Sequence, residues 1–494
     1  MKFRAAILLL FSASLFGAEF QNGQAAYAVL GQVSFTSRDT GLKVSSLVVE
    51  HGRLHAADAS RHVLTFDLLK LPDVRDDFAA RQTSGCSVCG LAPMSVTNES
   101  VMPGVATVSV WGKSVAIADP STHRVLLWRD SRSPHPDVVL GRISESSGSA
   151  STLVSPVSVA LDGKRVFVGD AALHRVLIWN SFPVSDDQPA DVVLGQPDFD
   201  AANANDVPGP NSLADPIAMA SDGTSLFVAD AVDRRILVFS PGDRALTAGS
   251  VVNSASLMTG PIAPGTLISI TGAALSEDSV STDTDGGRPL PKRLGGVEVV
   301  LNGQALPLLS VSPTEAQAQA PYDLGIQSAG SLYVRAEHAG GAVSVTTAVE
   351  VKIVPANPGL FAFTGSEPRR GIVLHGAPSQ TQGGSPVTEE IPAKPGEVIT
   401  IWATGLGAVA EGESNGSATA GVPFEGPAAQ AMIQPSAQVN GQPAQVLSAK
   451  LPQGATGVYQ VEIALPQGLE RNTLASLSIA QNGYASNTIS FPLR

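Results

Sequence analysis

Cysteine is scarce: the 494-residue chain holds two, Cys86 and Cys89. One Cys-x-x-Cys without a second pair cannot complete a zinc site, and a thioredoxin-like role would need a βαβ setting that is not there. In an oxidising compartment a local Cys86–Cys89 disulfide and two free thiols both fit. Charge is scarce too. Asp, Glu, Lys and Arg make up 15%, against ~25% in ordinary soluble domains. What charge there is sums to −13, which repels phosphate backbones and anionic lipid, so nucleic acid is excluded as a partner. With 48 glycines and 35 prolines, long helices are excluded as well. No G-x-S-x-G elbow, H-E-x-x-H helix or phosphate loop occurs. The reading therefore assigns no catalytic residue, no cofactor-binding residue and no metal ligand.

Apolar residues make up 43%, enough for sizeable cores in two to four domains. At the N-terminus Lys2 and Arg4 precede an apolar run from Ala5 to Phe16, then Gly17 and Ala18 before Glu19. This is the layout of a secretory signal over residues 1–18. About a dozen apolar residues are too few to span ~30 Å of hydrocarbon, and no later segment is long and apolar enough. The chain is expected to be exported, to the periplasm, the cell surface or the medium, with no transmembrane segment after cleavage.

Four segments then repeat one pattern. Strands ending in Asp58, Asp119, Asp170 and Asp230 are followed by Arg61-His-Val-Leu-Thr-Phe66, His123-Arg-Val-Leu-Leu-Trp128, His174-Arg-Val-Leu-Ile-Trp179 and Arg234-Arg-Ile-Leu-Val-Phe239. The aspartates lie 61, 51 and 60 residues apart, a period that signals a propeller or solenoid. Asp162-Gly163 and Asp222-Gly223 mark hairpins upstream of two of the pairs. A further strand recurs between units, as Val139-Leu-Gly141 and as Asp191-Val-Val-Leu-Gly-Gln-Pro-Asp-Phe199. The fourth unit ends at Phe239 without one, yet a copy stands alone near the start, Ala28-Val-Leu-Gly-Gln-Val-Ser-Phe35. The expectation is that this N-terminal strand completes the last unit and leaves no unpaired edge. The first unit is irregular, and its outer strand is expected, in degraded form, near Leu71 to Phe78.

The D-x-x-x-H-R-V-L-x-W pattern, with V-L-G-Q-P-D-F between copies, resembles NHL-repeat β-propeller proteins. That resemblance implies a four-bladed propeller over residues 28–240.

From about residue 248 the texture changes to thin Thr/Ser/Val-rich strands. Ala263-Pro-Gly-Thr-Leu-Ile-Ser-Ile-Thr-Gly272 matches Lys394-Pro-Gly-Glu-Val-Ile-Thr-Ile-Trp-Ala-Thr-Gly405, and Val297-Glu-Val-Val-Leu-Asn-Gly303 matches Ala437-Gln-Val-Asn-Gly441. Two diverged copies of one β-sandwich are expected, over 248–355 and 359–494, with a linker near Pro355 to Pro358. The marks V-V-N-x-A-S (from Val251), I-A-P-G, P-L-P-x-x-L-G-G (Pro289 to Gly296), A-T-G-L-G (Ala403 to Gly407) and G-x-Y-Q-V (Gly457 to Val461) resemble a Solibacter-type C-terminal domain family. It is found mostly on exported acidobacterial proteins and has no assigned chemistry. The resemblance implies immunoglobulin-like sandwiches and export.

The repeat positions are the candidate sites. His62, His123 and His174 are read as pinning strands rather than converging on a metal. Asp58, Asp119, Asp170 and Asp230 are read as satisfying turn backbone rather than holding a shared cation. Arg124, Arg175 and Arg235 are expected to bridge blades through carboxylates or aromatic faces. Glu277 to Asp285 gathers oxygens that could take calcium, without EF-hand spacing. His51, His135, His338 and His375 are expected at the surface. The functional expectation is a non-catalytic binding, adhesion or surface-scaffold protein, with a propeller face meeting a protein or glycan and the sandwiches acting as spacers or attachment modules. The alternative is a lactonase- or lyase-like propeller enzyme with a central metal.

Overall fold

The structure, a computed structural model, describes residues 18–38, 43–58, 62–68, 71, 89–91, 95–98, 107–141, 148–204, 207–283, 287–324, 328–376, 384–410, 418–471 and 473–494. The chain is all-β. Residues 1–17 of the expected signal segment 1–18, and Cys86, lie outside the described residues. Among the described residues no helix is long and apolar enough to cross a membrane.

The first half forms four sheets. Sheet 1 runs Val44–Glu50, Arg53–Asp58, His62–Asp67, Ser95–Asn98; sheet 2 runs Val108–Trp111, Ser114–Asp119, Arg124–Trp128, Val138–Leu140; sheet 3 runs Pro156–Leu161, Val166–Asp170, Arg175–Trp179, Val192–Leu194. Each is antiparallel. Sheet 4 begins Pro216–Ser221, Leu226–Asp230, Arg235–Phe239, and its next strand is Ala28–Leu30 from the start of the chain. The pairing is antiparallel, Ala28 opposite Val238 and Leu30 opposite Ile236.

Sheet 1 corrects one expectation: its fourth strand is Ser95–Asn98, not a segment near Leu71 to Phe78. The long insertion before it contributes Cys89–Leu91, which lies parallel to Ala28–Leu30 on the outer edge of sheet 4. Residues 72–78 of the expected segment lie outside the described residues, and a four-residue strand so far along the chain carries too little pattern to be placed from sequence.

The first strands of the sheets are neighbours in the order 2, 3, 4, 1. Apolar cores fill the spaces between sheets 2 and 3, around Val159 and Leu177, and between sheets 3 and 4, around Met219 and Phe167. The core between sheets 4 and 1, around Leu47 and Phe227, continues into the second half through Val300, Tyr333 and Val345. The two halves are thus joined by a shared core as well as by hydrogen bonds such as Ala25 N–H to the Ala348 carbonyl at 3.0 Å.

The second half holds two units. In the first, two five-stranded sheets enclose one core; one contains Leu267–Thr271 and Glu315–Gln319, the other Val297–Leu301 and Ala329–Glu337. The second unit differs. Its strands form one continuous sheet that wraps its own core, because Gln442–Leu451 pairs along its start with Ser436–Val439 and along its remainder with Tyr459–Ala464. The matching stretch of the first unit is cut at Pro307, where Gln304–Ala305 pairs in one sheet and Leu308–Val311 in the other. Pro307, with no N–H to give a ladder, stands at this switch, whereas Gln445 stands at the matching place of the second unit, inside the continuous strand.

Candidate functional site

The repeated turns come first. Asp170 ends one strand and Arg175 begins the next, with His174 between them in the left-handed region at φ 53°; His123 (58°) and Arg234 (52°) hold the same place. A Cβ in that region costs about 1–2 kcal/mol. The imidazoles offset the strain by reaching the following sheet. His174 Nδ1 donates to the Ala214 carbonyl at 2.5 Å, and His123 Nδ1 donates to the Val154 carbonyl. Each histidine latches its own sheet to the next one. The side chains of Asp58 and His62 lie outside what the structure describes, as does that of Cys89.

Arg175 and Arg235 are fully buried; they meet carboxylates as expected, but of their own sheet, Asp170 at 4.0 Å for Arg175, and reach the connections between sheets through backbone carbonyls. Arg175 donates to the carbonyls of Phe199 (2.7 Å), Ser149 (3.1 Å) and Thr152 (2.9 Å). Arg235 donates to those of Phe35 (2.6 Å), Gly209 (3.0 Å) and Ser212 (2.8 Å), and pairs with Asp230 and Asp233, each at 3.1 Å. Connections between sheets leave buried carbonyls with no ladder partner, and a guanidinium brings five donors to satisfy them. Arg124, the third of the set, is exposed.

The aspartates divide. Asp119 is half-buried and satisfies its own turn through Ser121 and Thr122, whose hydroxyls hold its carboxyl below the usual range. Asp170 and Asp230 are buried and accept from the connection before the first strand instead: Val154 and Ser155 N–H for Asp170, Ala214 and Asp215 N–H for Asp230. Burial pushes both carboxyls up. The Leu-Gly-Gln motif belongs to the same turn. Gln196 donates to the His174 carbonyl at 3.3 Å, and Gln32 to the Arg234 carbonyl at 3.1 Å. Gly195 is at φ 85°, and a Cβ there would lie 2.9 Å from the His174 oxygen.

The remaining candidates are scattered. Glu277 accepts from Ala339 N–H at 3.0 Å, and residues 284–286 of the oxygen-rich loop lie outside the described residues. Among the described residues no His, Cys, Asp and Glu gather as a metal-holding group. His51 and His135 are exposed. His375 is not a free surface residue: Nδ1 meets Glu397 at 2.5 Å and Nε2 the Ile391 carbonyl at 3.0 Å. His338 is bound likewise, to Ser344 Oγ at 2.6 Å.

Trp111 is the residue the repeat pattern passes over. By register it stands where Asp162 and Asp222 stand in sheets 3 and 4. Those aspartates cap their own turns, Asp162 through Lys164 and Arg165 N–H and Asp222 through Thr224 and Ser225 N–H. Tryptophan cannot, and it projects instead over the neighbouring turns. A Cβ on Gly163 would collide with its indole, and one on Gly223 would meet it at 3.6 Å. The ring therefore reaches from sheet 2 past sheet 3 to sheet 4, and the residue is still 41% exposed.

Beside it, Val108 and Val110 are 53% and 62% exposed. Their counterparts by register include Val159 and Leu161 in sheet 3, Met219 in sheet 4 and Leu47 in sheet 1, all buried between sheets. Among the described residues no apolar core joins sheets 1 and 2. A tryptophan replacing the turn aspartate was the available sequence signal for this face.

No protein-family model and no curated protein matches the chain. Among solved structures it is similar to the computationally designed Ika4 protein, with 11% identity over 43% of this chain and 97% of that one and a TM-score of 0.19. It is similar to the β-propeller domain of Myceliophteria thermophila Cps50 (Swd1), with 10% identity over 40% of this chain and 50% of that one and a TM-score of 0.19. Fibronectin(III)-like modules of Clostridium thermocellum CbhA give 17% identity, 51% and 90% coverage and a TM-score of 0.12. At these scores none of the likenesses fixes the fold.

Proposed function

We propose that the chain is an exported, non-catalytic binding or cell-surface scaffold protein. In this reading sheets 1–4 are the blades of an NHL-type propeller, closed by the N-terminal strand. The two later units are immunoglobulin-like modules of the Solibacter type. The core shared between the halves makes the modules a stiff support for the propeller rather than a flexible tether.

The observation that carries the reading is Trp111. His123, His174 and the buried arginines are occupied in joining one sheet to the next. Trp111 instead remains 41% exposed where the turns of sheets 2, 3 and 4 meet. Tryptophan is enriched at interaction hot spots because it offers a large rigid surface at small entropic cost. A protein or glycan surface is its partner.

The experiment is retention of the purified protein on cell-envelope fractions and on a glycan array, wild type against Trp111→Ala. The variant should lose at least about tenfold in retention, the ~1.4 kcal/mol of a modest hot spot, with its unfolding midpoint little changed. A wild-type protein retained nowhere, or a variant retained equally well, overturns the reading.

A further inference from the structure

The junction between the two later units holds a cleft of about 610 Å³. Its walls come from both units. Pro264, Tyr322 and Ile353 line it from the first, Leu406 and Met432 from the second, and Pro355 from the segment between. This volume is within the ~300–1,000 Å³ range of small-molecule sites.

The walls are fixed. Gly405 and Gly407 adopt φ of 77° and 82°, and a Cβ on either would collide with the carbonyl of Asn357 or Pro355. The Tyr459 hydroxyl donates to the Gly407 carbonyl, and Asn357 N–H donates to Gly405 at 2.8 Å. Beyond the lining the two units are tied directly: Thr404 Oγ1 accepts from Leu267 N–H at 2.9 Å, and Gln319 accepts from Gly421 N–H at 2.6 Å. The segment near Pro355 to Pro358 is therefore clamped, and the cleft is built in advance of any ligand rather than opened by a hinge.

Among the described residues the lining is chiefly apolar and carries one charged group, the exposed carboxylate of Asp323. Among the described residues Asp323 forms no ion pair. Met432, 68% exposed, stands on the rim. Proline rings and a methionine thioether pack well on aromatic faces. The chain's net charge of −13 raises the local concentration of cations at such an opening.

We propose that this cleft binds a small amphiphilic cation, an aromatic body carrying one ammonium group that faces Asp323. The body lies between the Leu406 and Ile353 walls, and the Tyr322 phenol, its hydroxyl buried, stays neutral. The site is separate from the Trp111 face, so the two readings stand or fall independently.

Tryptamine, tryptophol and indole-3-acetate share one ring system and differ in charge. Titrated into the full-length protein by calorimetry, they should bind in that order, with tryptamine saturating below about 1 mM. Asp323→Asn should reduce tryptamine affinity about three- to tenfold and leave tryptophol unchanged. Ala408→Trp, which fills the cleft, should abolish both. Should that variant not fold, Met432→Arg at the exposed rim should weaken tryptamine selectively. Absence of saturable binding by all three, or binding indifferent to Asp323→Asn and to the blocking variant, overturns the proposal.

Discussion

Arg235 Nη1 donates to the carbonyl oxygen of Phe35 at 2.6 Å, across 200 residues of sequence. Arg175 makes the same bond to Phe199 at 2.7 Å, across 24. The geometry is one device used twice. In sheet 3 the phenylalanine follows the outer strand directly, and in sheet 4 it follows a strand supplied by the N-terminus. The Phe35 segment therefore holds the structural place of the Phe199 segment, down to the glutamine that precedes each.

Arg235→Ala removes the donors that hold three buried carbonyls and leaves Asp230 buried beside no guanidinium, while Asp233 keeps Arg38 at 2.5 Å. A cost of about 3–5 kcal/mol is expected. Arg124→Ala, at the exposed equivalent, should change stability by less than about 0.5 kcal/mol. Urea unfolding of both variants checks the contrast. Equal effects would mean that the carbonyl clamp contributes nothing.

Gly407 and Gly441 both lie in the left-handed region, at φ 82° and 74°. A Cβ on Gly407 would strike the Pro355 carbonyl, whereas one on Gly441 meets nothing within 4 Å. Gly441→Ala should cost about 1–2 kcal/mol, the conformational term alone. Gly407→Ala adds overpacking of about 1–3 kcal/mol and should lower the unfolding midpoint clearly further. Thermal unfolding of the two variants separates the terms.

How much was legible differs from element to element. The fourfold pattern, the Asp-Gly corners and the stray Val-Leu-Gly-Gln copy marked the first half, because a strand that is short but repeated is visible where a single one is not. The same logic failed for Ser95–Asn98, whose sequence matches no other outer strand. The carboxylate partners of Arg235 were legible, but its bonds to backbone carbonyls and those of Arg175 were not, because carbonyls leave no side-chain signature. In the second half the marks V-V-N-x-A-S and A-T-G-L-G could be read as motifs but not as a junction. Asn253 meets the Asn357 carbonyl at 3.3 Å, and Arg369 donates to the carbonyls of Ala255 and Ser256. Contacts of that span have no local pattern.

Glu350 gives a pH test. It belongs to the first later unit and lies against the Gly209–Asn211 connection; a Cβ on Gly209 would meet its carboxylate at 2.6 Å. Burial pushes its carboxyl above the ordinary 4.5, against the opposing pull of Lys352, the Asn211 N–H and Arg235. The folded state therefore holds the proton more tightly than the unfolded chain. Stability from this group is greatest at low pH and falls as pH rises from 4.5 through the raised folded value. Glu350→Gln should gain on the wild type by up to about 1 kcal/mol at neutral pH, a figure limited by partial exposure, and less at about pH 4. Denaturation curves at the two pH values decide it; a larger gain in acid contradicts the assignment.

His174→Asn keeps a residue that tolerates the left-handed turn but loses the bond to Ala214. A loss of about 1 kcal/mol is expected. Metal analysis of the purified wild type and variant should give equal content. Stoichiometric metal that disappears with His174 would instead support a metal-dependent enzyme.

Hydrogen–deuterium exchange of the full-length protein tests the closure of the first half most directly. The peptides covering residues 26–32 and 235–240 should be protected together, and both should lose protection when Val29 is replaced by proline. Rapid exchange of residues 26–32 in a protein whose Arg235–Phe239 strand stays protected would contradict the pairing on which the account rests.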